Sequence, residues 1–340
     1  MGLFSFLTKE IAVDLGTANT LIIHNDKILV EEPSIVAIDK QTGKILAVGK
    51  KAMMMHGKTH DNIKTLRPLS NGVIADFQAA EAMIRAMIKM TENKKSWFPP
   101  SLKMVICIPS GITEVEERAV RDSCEQAGAK EVRLIHEPMA AAIGIGIDVL
   151  EPTGNIVIDV GGGTTEIAVI ALGGIVCNKS IRVAGDDFNT DIIEFMRKEH
   201  NILIGERTAE KIKIEVGSAI SELENPPPDL KVHGRDMLTG IPKEITVNYQ
   251  EVAQALDKSI IKIEAAVLSA LEMTPPELAA DIFRTGIYMA GGGALLRGLD
   301  KRIAAKTRMA VHIAEDPLRA VARGTGIALK NFDRFPFLIK

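Results

Sequence analysis

Residues 158–170 read IDVGGGTTEIAVI: an apolar run, an aspartate, three consecutive glycines, two threonines, a glutamate and a second apolar run. Glycine with small polar residues between apolar segments ordinarily marks a hairpin, because glycine reaches the positive-φ conformations of tight turns. One copy would say no more. Residues 11–23, however, read IAVDLGTANTLII, where an aspartate again closes a short apolar run before a glycine, small hydroxyl residues and a returning run. The same turn occurs twice, which points to a duplicated unit.

The chain has 340 residues, 46% of them hydrophobic, which is too long for one small core and suits two domains or four subdomains. Lys and Arg number 41 against 44 Asp and Glu, a net charge of −3, so no overall basic field favours nucleic acid and none is expected as a partner. Cys107, Cys124 and Cys177 are odd in number, far apart and set in apolar surroundings, which fits reduced thiols and a cytoplasmic location. No uninterrupted apolar run reaches the roughly eighteen residues of a membrane span. The opening MGLFSFLTKE lacks the basic start and cleavage site of a signal peptide and is expected to be retained. Phe6 stands where a myristoylation pattern wants Ser or Thr.

Strand-like runs at 11–15, 21–23, 28–30, 104–108, 132–135, 156–160, 167–172 and 287–289 alternate with helical patterns at 77–90, 115–127 and 139–149. Pro138 is a plausible first residue of the last of these helices. Such alternation predicts an α/β fold with a largely buried sheet. Residues 33–67 and 187–249, the latter broken by Pro226, Pro227 and Pro228, interrupt the pattern and look like inserted subdomains.

Two such units facing each other would set two aspartates and two rows of backbone N–H groups across a cleft that fits a triphosphate. Glycines let the backbone approach phosphate oxygens, and the hydroxyls of Thr17, Thr164 and Thr165 can donate further bonds. Asp14 and Asp159 repel phosphate, so they need a bridging cation, and Mg²⁺, a hard oxygen-seeking ion, is the natural one. A third glycine run, MAGGGAL at 289–295, follows another strand and is expected to open a helix that approaches a nucleoside. Each turn alone reads as a hairpin; three of them plus the aspartate pair read as a nucleotide site.

The segments DLGTANT (14–20), HEPMAAAIG (136–144), DVGGGTTE (159–166), MAGGGALLRGLD (289–300) and DPLRAVARGTG (316–326) together resemble the superfamily of actin, sugar kinases and heat-shock chaperone ATPases. EEPSIVA, LRPLSNGVIADF, PSGITEVEERAV, LGGIV, SIRVAGDDFN and IGERTAEKIK narrow the resemblance to the MreB family of bacterial actin-like, rod-shape-determining proteins, over about residues 11–328. The resemblance implies an actin-like ATPase fold: duplicated α/β domains, each with a smaller inserted subdomain, around a nucleotide cleft. The expected division is 1–32, 68–147 and about 316–340 for the first large subdomain, and 33–67 for its insertion. The second large subdomain takes 148–186 and about 250–315, with 187–249 as its insertion. The cofactors implied are ATP, with GTP left open, and Mg²⁺, held at Asp14 and Asp159 directly or through water. The implied behaviour is ATP hydrolysis coupled to head-to-tail assembly into paired protofilaments, peripheral to the inner face of the cytoplasmic membrane. Membrane proteins of the cell-elongation machinery are the implied partners, and organisation of cell-wall synthesis the implied role.

By the same resemblance Glu137 orients the attacking water and Thr164 helps position it; the alternative is that Glu137 only caps the helix it precedes. Asp14, Thr17, Ala18, Asn19, Asp159, Gly161, Gly162, Gly163 and Thr164 would surround phosphates and metal. Gly291, Gly292, Gly293, Ala294 and Leu295, with Glu210, Lys211, Ile212 and Lys213, would hold the nucleoside, although the charges of 210–213 also suit the solvated face of an amphipathic helix. His56 and His60 have i, i+4 spacing but no third ligand nearby, so solvent-exposed histidines are expected rather than zinc ligands. Leu3, Phe4, Phe6 and Leu7 at the N-terminus, and Trp97 and Phe98 in the stiff loop NKKSWFPPS (93–101), are candidate membrane anchors; the two aromatics could instead fold back on the core. A kinase would need an acceptor pocket, and a chaperone a peptide-binding domain, for which the residues after the last helix, 331–340, are too few.

Overall fold

Each of the two aspartate-bearing strands starts a three-stranded antiparallel meander. A computed structural model describes residues 8–91, 101–333 and 335–340; the membrane candidates Leu3, Phe4, Phe6, Leu7, Trp97 and Phe98 lie outside them. In the first half β1 (Thr8–Leu15), β2 (Asn19–His24) and β3 (Lys27–Pro33) pair in succession. The chain continues through β4 (Val36–Asp39), β5 (Ile45–Val48), α1 (Lys50–Met55), β6 (Ile63–Leu66) and a short hairpin of β7 (Leu69–Ser70) and β8 (Val73–Ile74). It returns by α2 (Phe77–Met90), β9 (Ser101–Ile108), α3 (Glu114–Gln126), β10 (Ala129–His136) and α4 (Glu137–Ile145). Strand β9 joins β1 in parallel and β10 joins β9 in parallel, giving the order β10-β9-β1-β2-β3.

The second half repeats this plan. Its meander is β11 (Asn155–Val160), β12 (Thr165–Ala171) and β13 (Gly174–Ile181), followed by α5 (Gly185–His200), β14 (Ile202–Leu203), α6 (Glu206–Val216), β15 (Leu230–Asp236) and β16 (Pro242–Val247). Then come α7 (Tyr249–Glu272), α8 (Pro276–Thr285), β17 (Ile287–Ala290), α9 (Leu299–Thr307), β18 (Val311–Ile313) and α10 (Ala320–Lys330). The sheet order β13-β12-β11-β17-β18 has the same parallel and antiparallel senses as the first sheet. The duplication is therefore one of topology and not only of a turn motif. Segments 33–67 and 187–249 each carry a separate three-stranded sheet, β5-β4-β6 and β14-β15-β16.

Helices α4 and α10 form the middle layer. Ala12, Leu21, Val105 and Ile135 of the first sheet and Val157, Ala168, Ile170 and Ala290 of the second share one core with Met139, Ala140, Ala141 and Ala142 of α4 and Ala322 and Ala328 of α10. The alanines let two helices fit between two sheets, and two glycines bring the helices into backbone contact. A Cβ on Gly144 would lie 1.8 Å from the Ala320 carbonyl oxygen, and one on Gly324 would lie 1.7 Å from that of Ala140. On the outer faces, Met83, Ile84 and Met87 of α2 pack on the first sheet, and Phe188, Ile192, Leu256 and Ile260 of α5 and α7 pack on the second.

Helix α2 has the bounds expected from its periodicity, with the Asp76 side chain accepting the Ala79 amide at 3.0 Å as its N-cap. Helix α4 differs from the expected 139–149. It starts two residues earlier, and Gly146 in the left-handed conformation (φ 101°) ends it while the Ile147 amide donates back to Ala142. Strand β12 stops one residue short of the expected 172, where Leu172 turns to φ 52°.

Candidate functional site

The two aspartate turns meet. A Cβ on Gly162 would lie 2.7 Å from Cβ of Ala18, and one on Gly163 would lie 2.7 Å from Thr17 Oγ1. Only glycine permits this approach. The first turn is braced by Ser34, whose hydroxyl donates to the Gly16 carbonyl at 2.6 Å and whose amide donates to Ala18 at 2.9 Å. The second turn is closed by the Gly161 amide donating to Thr164 at 2.9 Å. The first residues of α5 back it, with the Gly185 amide donating to Gly161 and the Asp186 amide to Gly162.

A third element reaches this junction that the motifs did not mark. The turn of the β7–β8 hairpin, Asn71 (φ 51°) and Gly72 (φ 76°), donates its Gly72 amide to Thr17 Oγ1 at 2.9 Å and sits against Thr164 and Gly163. Its signal is the dipeptide Asn-Gly, which favours the two-residue hairpin turn with both central φ values positive. The hydroxyl of Thr17 is thus already an acceptor for this hairpin. The third glycine run approaches Asp159 itself: Gly291 (φ 80°) has no room for a Cβ beside Asp159 Oδ1 and the Val160 carbonyl. Contrary to expectation it does not open an α-helix. Gly292–Leu295 form a single 3₁₀ turn, and α9 begins only at Leu299. Ala294 is buried in the core and Leu295 is exposed.

Four acids converge on the junction. Glu137, at the start of α4, Asp159 and Glu166 are buried, while Asp14 is half-buried. Burial pushes the Asp14 carboxyl up from 3.8 to about 6, although the Cys107 thiol, which donates to it at 3.1 Å, works the other way. Burial and then the Asp14 charge push Asp159 up from 3.8 to about 7. Glu137 is raised well above the ordinary range by burial and by the charges of Glu166, Asp159 and Asp14. Asp159 Oδ1 is buried without a hydrogen-bond partner. An orphaned carboxylate oxygen among other acids fits a cation. Among the described residues no three His, Cys, Asp or Glu side chains form a ready ligand set.

These shifts set a pH dependence. The folded protein holds the protons of Asp14, Asp159 and Glu137 more tightly than the unfolded chain does, so their contribution to stability is full below pH 3.8 and is lost as pH rises toward 7. His136, lowered chiefly by burial, acts oppositely, one group against three. The nucleotide-free protein is expected to melt at higher temperature as pH is lowered from about 7.5 to about 5.5, read by scanning calorimetry. Mg²⁺ with a nucleotide should flatten that slope, and a slope of the opposite sign would contradict this account of the acids.

Residues 210–213 lie on helix α6 and divide by face. Lys213 donates to the Gly185 carbonyl at 3.0 Å and to Glu210 at 2.8 Å, and Glu210 also accepts from Asn189 at 2.7 Å, so this pair backs the α5 N-terminus that touches the second glycine turn. Lys211 is on the solvated face, 3.9 Å from Glu215, and Ile212 is in the core. Asn19 is exposed at the edge of the first turn. His56 does not stand free in solvent: it bonds Thr65 at 2.9 Å and Glu206 at 3.2 Å.

The family model described as MreB/Mbl protein matches residues 8–336. The chain is 46% identical to the cell shape-determining protein Mbl of Bacillus subtilis over 329 residues, covering 96% of this chain and 98% of that one. It is 47% identical to the cell shape-determining protein MreB of Escherichia coli over 337 residues, covering 98% and 95%. The crystal structure of MreB 5 of Spiroplasma citri bound to AMPPNP superposes with a TM-score of 0.90 at 38% identity, covering 96% of this chain and 97% of that one. A MamK double helical filament, at 22% identity and a TM-score of 0.79, shares the fold. The fold class is the actin-like one that the motifs implied, and the chain belongs to the MreB/Mbl family.

Proposed function

We propose that this protein is an actin-like cytoskeletal ATPase that binds Mg·ATP between its halves and assembles head to tail into paired, membrane-associated protofilaments that organise wall synthesis and rod shape. The observation that carries the nucleotide part is the meeting of the two glycine turns beside Asp14, Asp159 and Glu137. It is supported by the crystal structures of MreB 5 of Spiroplasma citri bound to AMPPNP and to ADP. Backbone amides of Thr17, Ala18, Asn19 and Gly162–Thr164 would donate to phosphate oxygens, with Gly161 closing the turn; Gly291–Leu295 and the Glu210–Lys213 segment would border the nucleoside. Asp14 and Asp159 would hold Mg²⁺, largely through water, and the bound ion would neutralise phosphate charge. Glu137 would orient the attacking water and take up its proton, with the Thr164 hydroxyl helping to fix that water. Charge neutralisation by the ion favours an ionised, proton-accepting Glu137. GTP could occupy the same site.

Closure over the nucleotide would draw on a link between the two insertions. Glu206, in the second insertion, accepts from Arg67 at 2.8 Å and pairs with His56 at 3.2 Å, both at the first insertion. Glu206→Gln should speed release of a fluorescent nucleotide by roughly fivefold, the factor that about 1 kcal/mol of ion pairing provides. Unchanged release would remove the pair from closure.

Nucleotide binding biases the halves toward one orientation, and only that orientation need present end surfaces that match in an open, head-to-tail contact. Exposed Leu238 and Ile241 at the turn of the β15–β16 hairpin offer an apolar edge within the second insertion, where copies would meet. Leu3, Phe4, Phe6 and Leu7 with Trp97 and Phe98 are the proposed lipid contacts, each weak alone and multiplied along a filament. The test is light scattering and co-sedimentation with Mg·ATP, with and without anionic liposomes. Expected are nucleotide-dependent assembly, hydrolysis that rises with protein concentration, and strong liposome binding by polymer alone. Turnover that requires an added small hydroxyl compound would favour a kinase instead.

A further inference from the structure

Glu166 has no role in the site as assigned so far, yet its side chain is fully buried and joins the two halves. The Ser110 amide donates to Oε2 at 3.1 Å, the Ser110 hydroxyl donates to the same oxygen, and the Ser180 hydroxyl donates to Oε1 at 2.6 Å. Glu166 and Ser180 are register partners on β12 and β13, whereas Ser110 follows β9 in the first half. A buried carboxylate is tolerated only while such donors satisfy it, so moving the halves apart here would strand it. Two neighbouring contacts mark the same seam. A Cβ on Gly111 would lie 2.6 Å from Cβ of Ser180, and Arg182 is 3.7 Å from Glu116.

The seam leads to Glu137. Strands β9 and β10 end side by side at the pair Ile108 and His136, with Ser110 two residues beyond one end and Glu137 one residue beyond the other. Among the charges acting on Glu137, that of Glu166 is the largest. A cavity of about 380 Å³, lined by Ser110, His136, Met139, Ile175, Asn178 and Phe337, opens at these strand ends, so packing alone leaves them room to shift.

We propose that Glu166 is a positioning residue for hydrolysis: by fastening Ser110 to the second half it sets where Glu137 stands relative to the glycine turn at 161–163. Water activation is thereby tied to the relative orientation of the halves. The proposal rests on the assignment of Glu137 as the water-orienting group.

The experiment is ATP turnover by single-turnover and steady-state kinetics, at matched protein concentration with polymer followed by sedimentation, for the parent, Glu166→Ala, Glu166→Gln and Ser110→Ala, each also combined with Glu137→Gln. Misplacing a catalytic group by a fraction of a bond length to 1 Å costs one to two orders of magnitude, so Glu166→Ala should lower kcat roughly 10- to 100-fold with KM within about threefold. Glu166→Gln keeps the shape and can still accept from the Ser110 amide, and should recover most of that loss. In the Glu137→Gln background Glu166→Ala should cost no further factor, because the two act as one unit. A full additional loss in that background, or a loss confined to KM, would overturn the proposal. If Glu166→Ala does not fold, Ser110→Ala removes the hydroxyl donor from the fastening while keeping the amide bond, and should lower kcat about threefold or more in a protein that stays folded at the assay temperature; unchanged kcat overturns it. A parent without ATP turnover would remove the ATPase assignment and this proposal together, whereas normal parent turnover with unaffected variants removes only the role of Glu166.

Discussion

Glu137→Gln is expected to slow ATP hydrolysis roughly 100-fold or more while leaving nucleotide affinity close to that of the parent, since an orienting base contributes mainly to the chemical step. The substitution keeps the shape of the side chain and removes its charge. Because Glu137 is held far above its ordinary range by burial and by three neighbouring acids, removing the charge should also raise the melting temperature of the nucleotide-free protein. The two readouts move in opposite directions, which a merely structural helix cap would not produce: losing a cap lowers stability and has no reason to touch kcat. Steady-state hydrolysis, titration with a fluorescent nucleotide and scanning calorimetry separate the cases. Unchanged turnover would take Glu137 out of the site.

Gly324→Ala is expected to cost more than about 3 kcal/mol and to prevent folding at moderate temperature, although alanine is the better helix former by about 1 kcal/mol. The reason is steric. The added methyl would stand 1.7 Å from the Ala140 carbonyl oxygen, an atom of a neighbouring helix backbone that cannot turn aside as a side chain can. Relief requires α4 and α10 to separate, and the core they share with both sheets would open with them. Gly144→Ala should behave alike, with its methyl 1.8 Å from the Ala320 carbonyl oxygen. Gly205, where a Cβ meets nothing within 4 Å and φ is −90°, is the control: Gly205→Ala should change denaturant stability by no more than about 1 kcal/mol. Equal stability of Gly324→Ala and the parent would mean that the helices are not in backbone contact.

The duplicated α/β plan was legible from residues because it is local. An apolar run, an aspartate, a glycine turn and a returning run describe one strand pair, and period and turn chemistry suffice to read it twice. The close approaches of the glycines at 162–163 and 291 were legible likewise, since a backbone that must pack at contact distance has few residue types to choose from. Tertiary structure decided what depends on partners distant in sequence. The turn Asn71–Gly72 reads as an ordinary hairpin until the chain brings it against Thr17 and Thr164. Gly144 and Gly324 pass for family marks or helix flaws until two helices 180 residues apart are seen to need them. Ile212 and Lys213 are adjacent in sequence, yet a helix turns one into the core and the other toward the Gly185 carbonyl, and only packing tells which face is which. Glu166 is the sharpest case: in sequence it is a polar residue at the head of a strand, and only the folded chain brings donors from both halves to its carboxylate, because hydrogen bonds between segments far apart leave no periodicity to read.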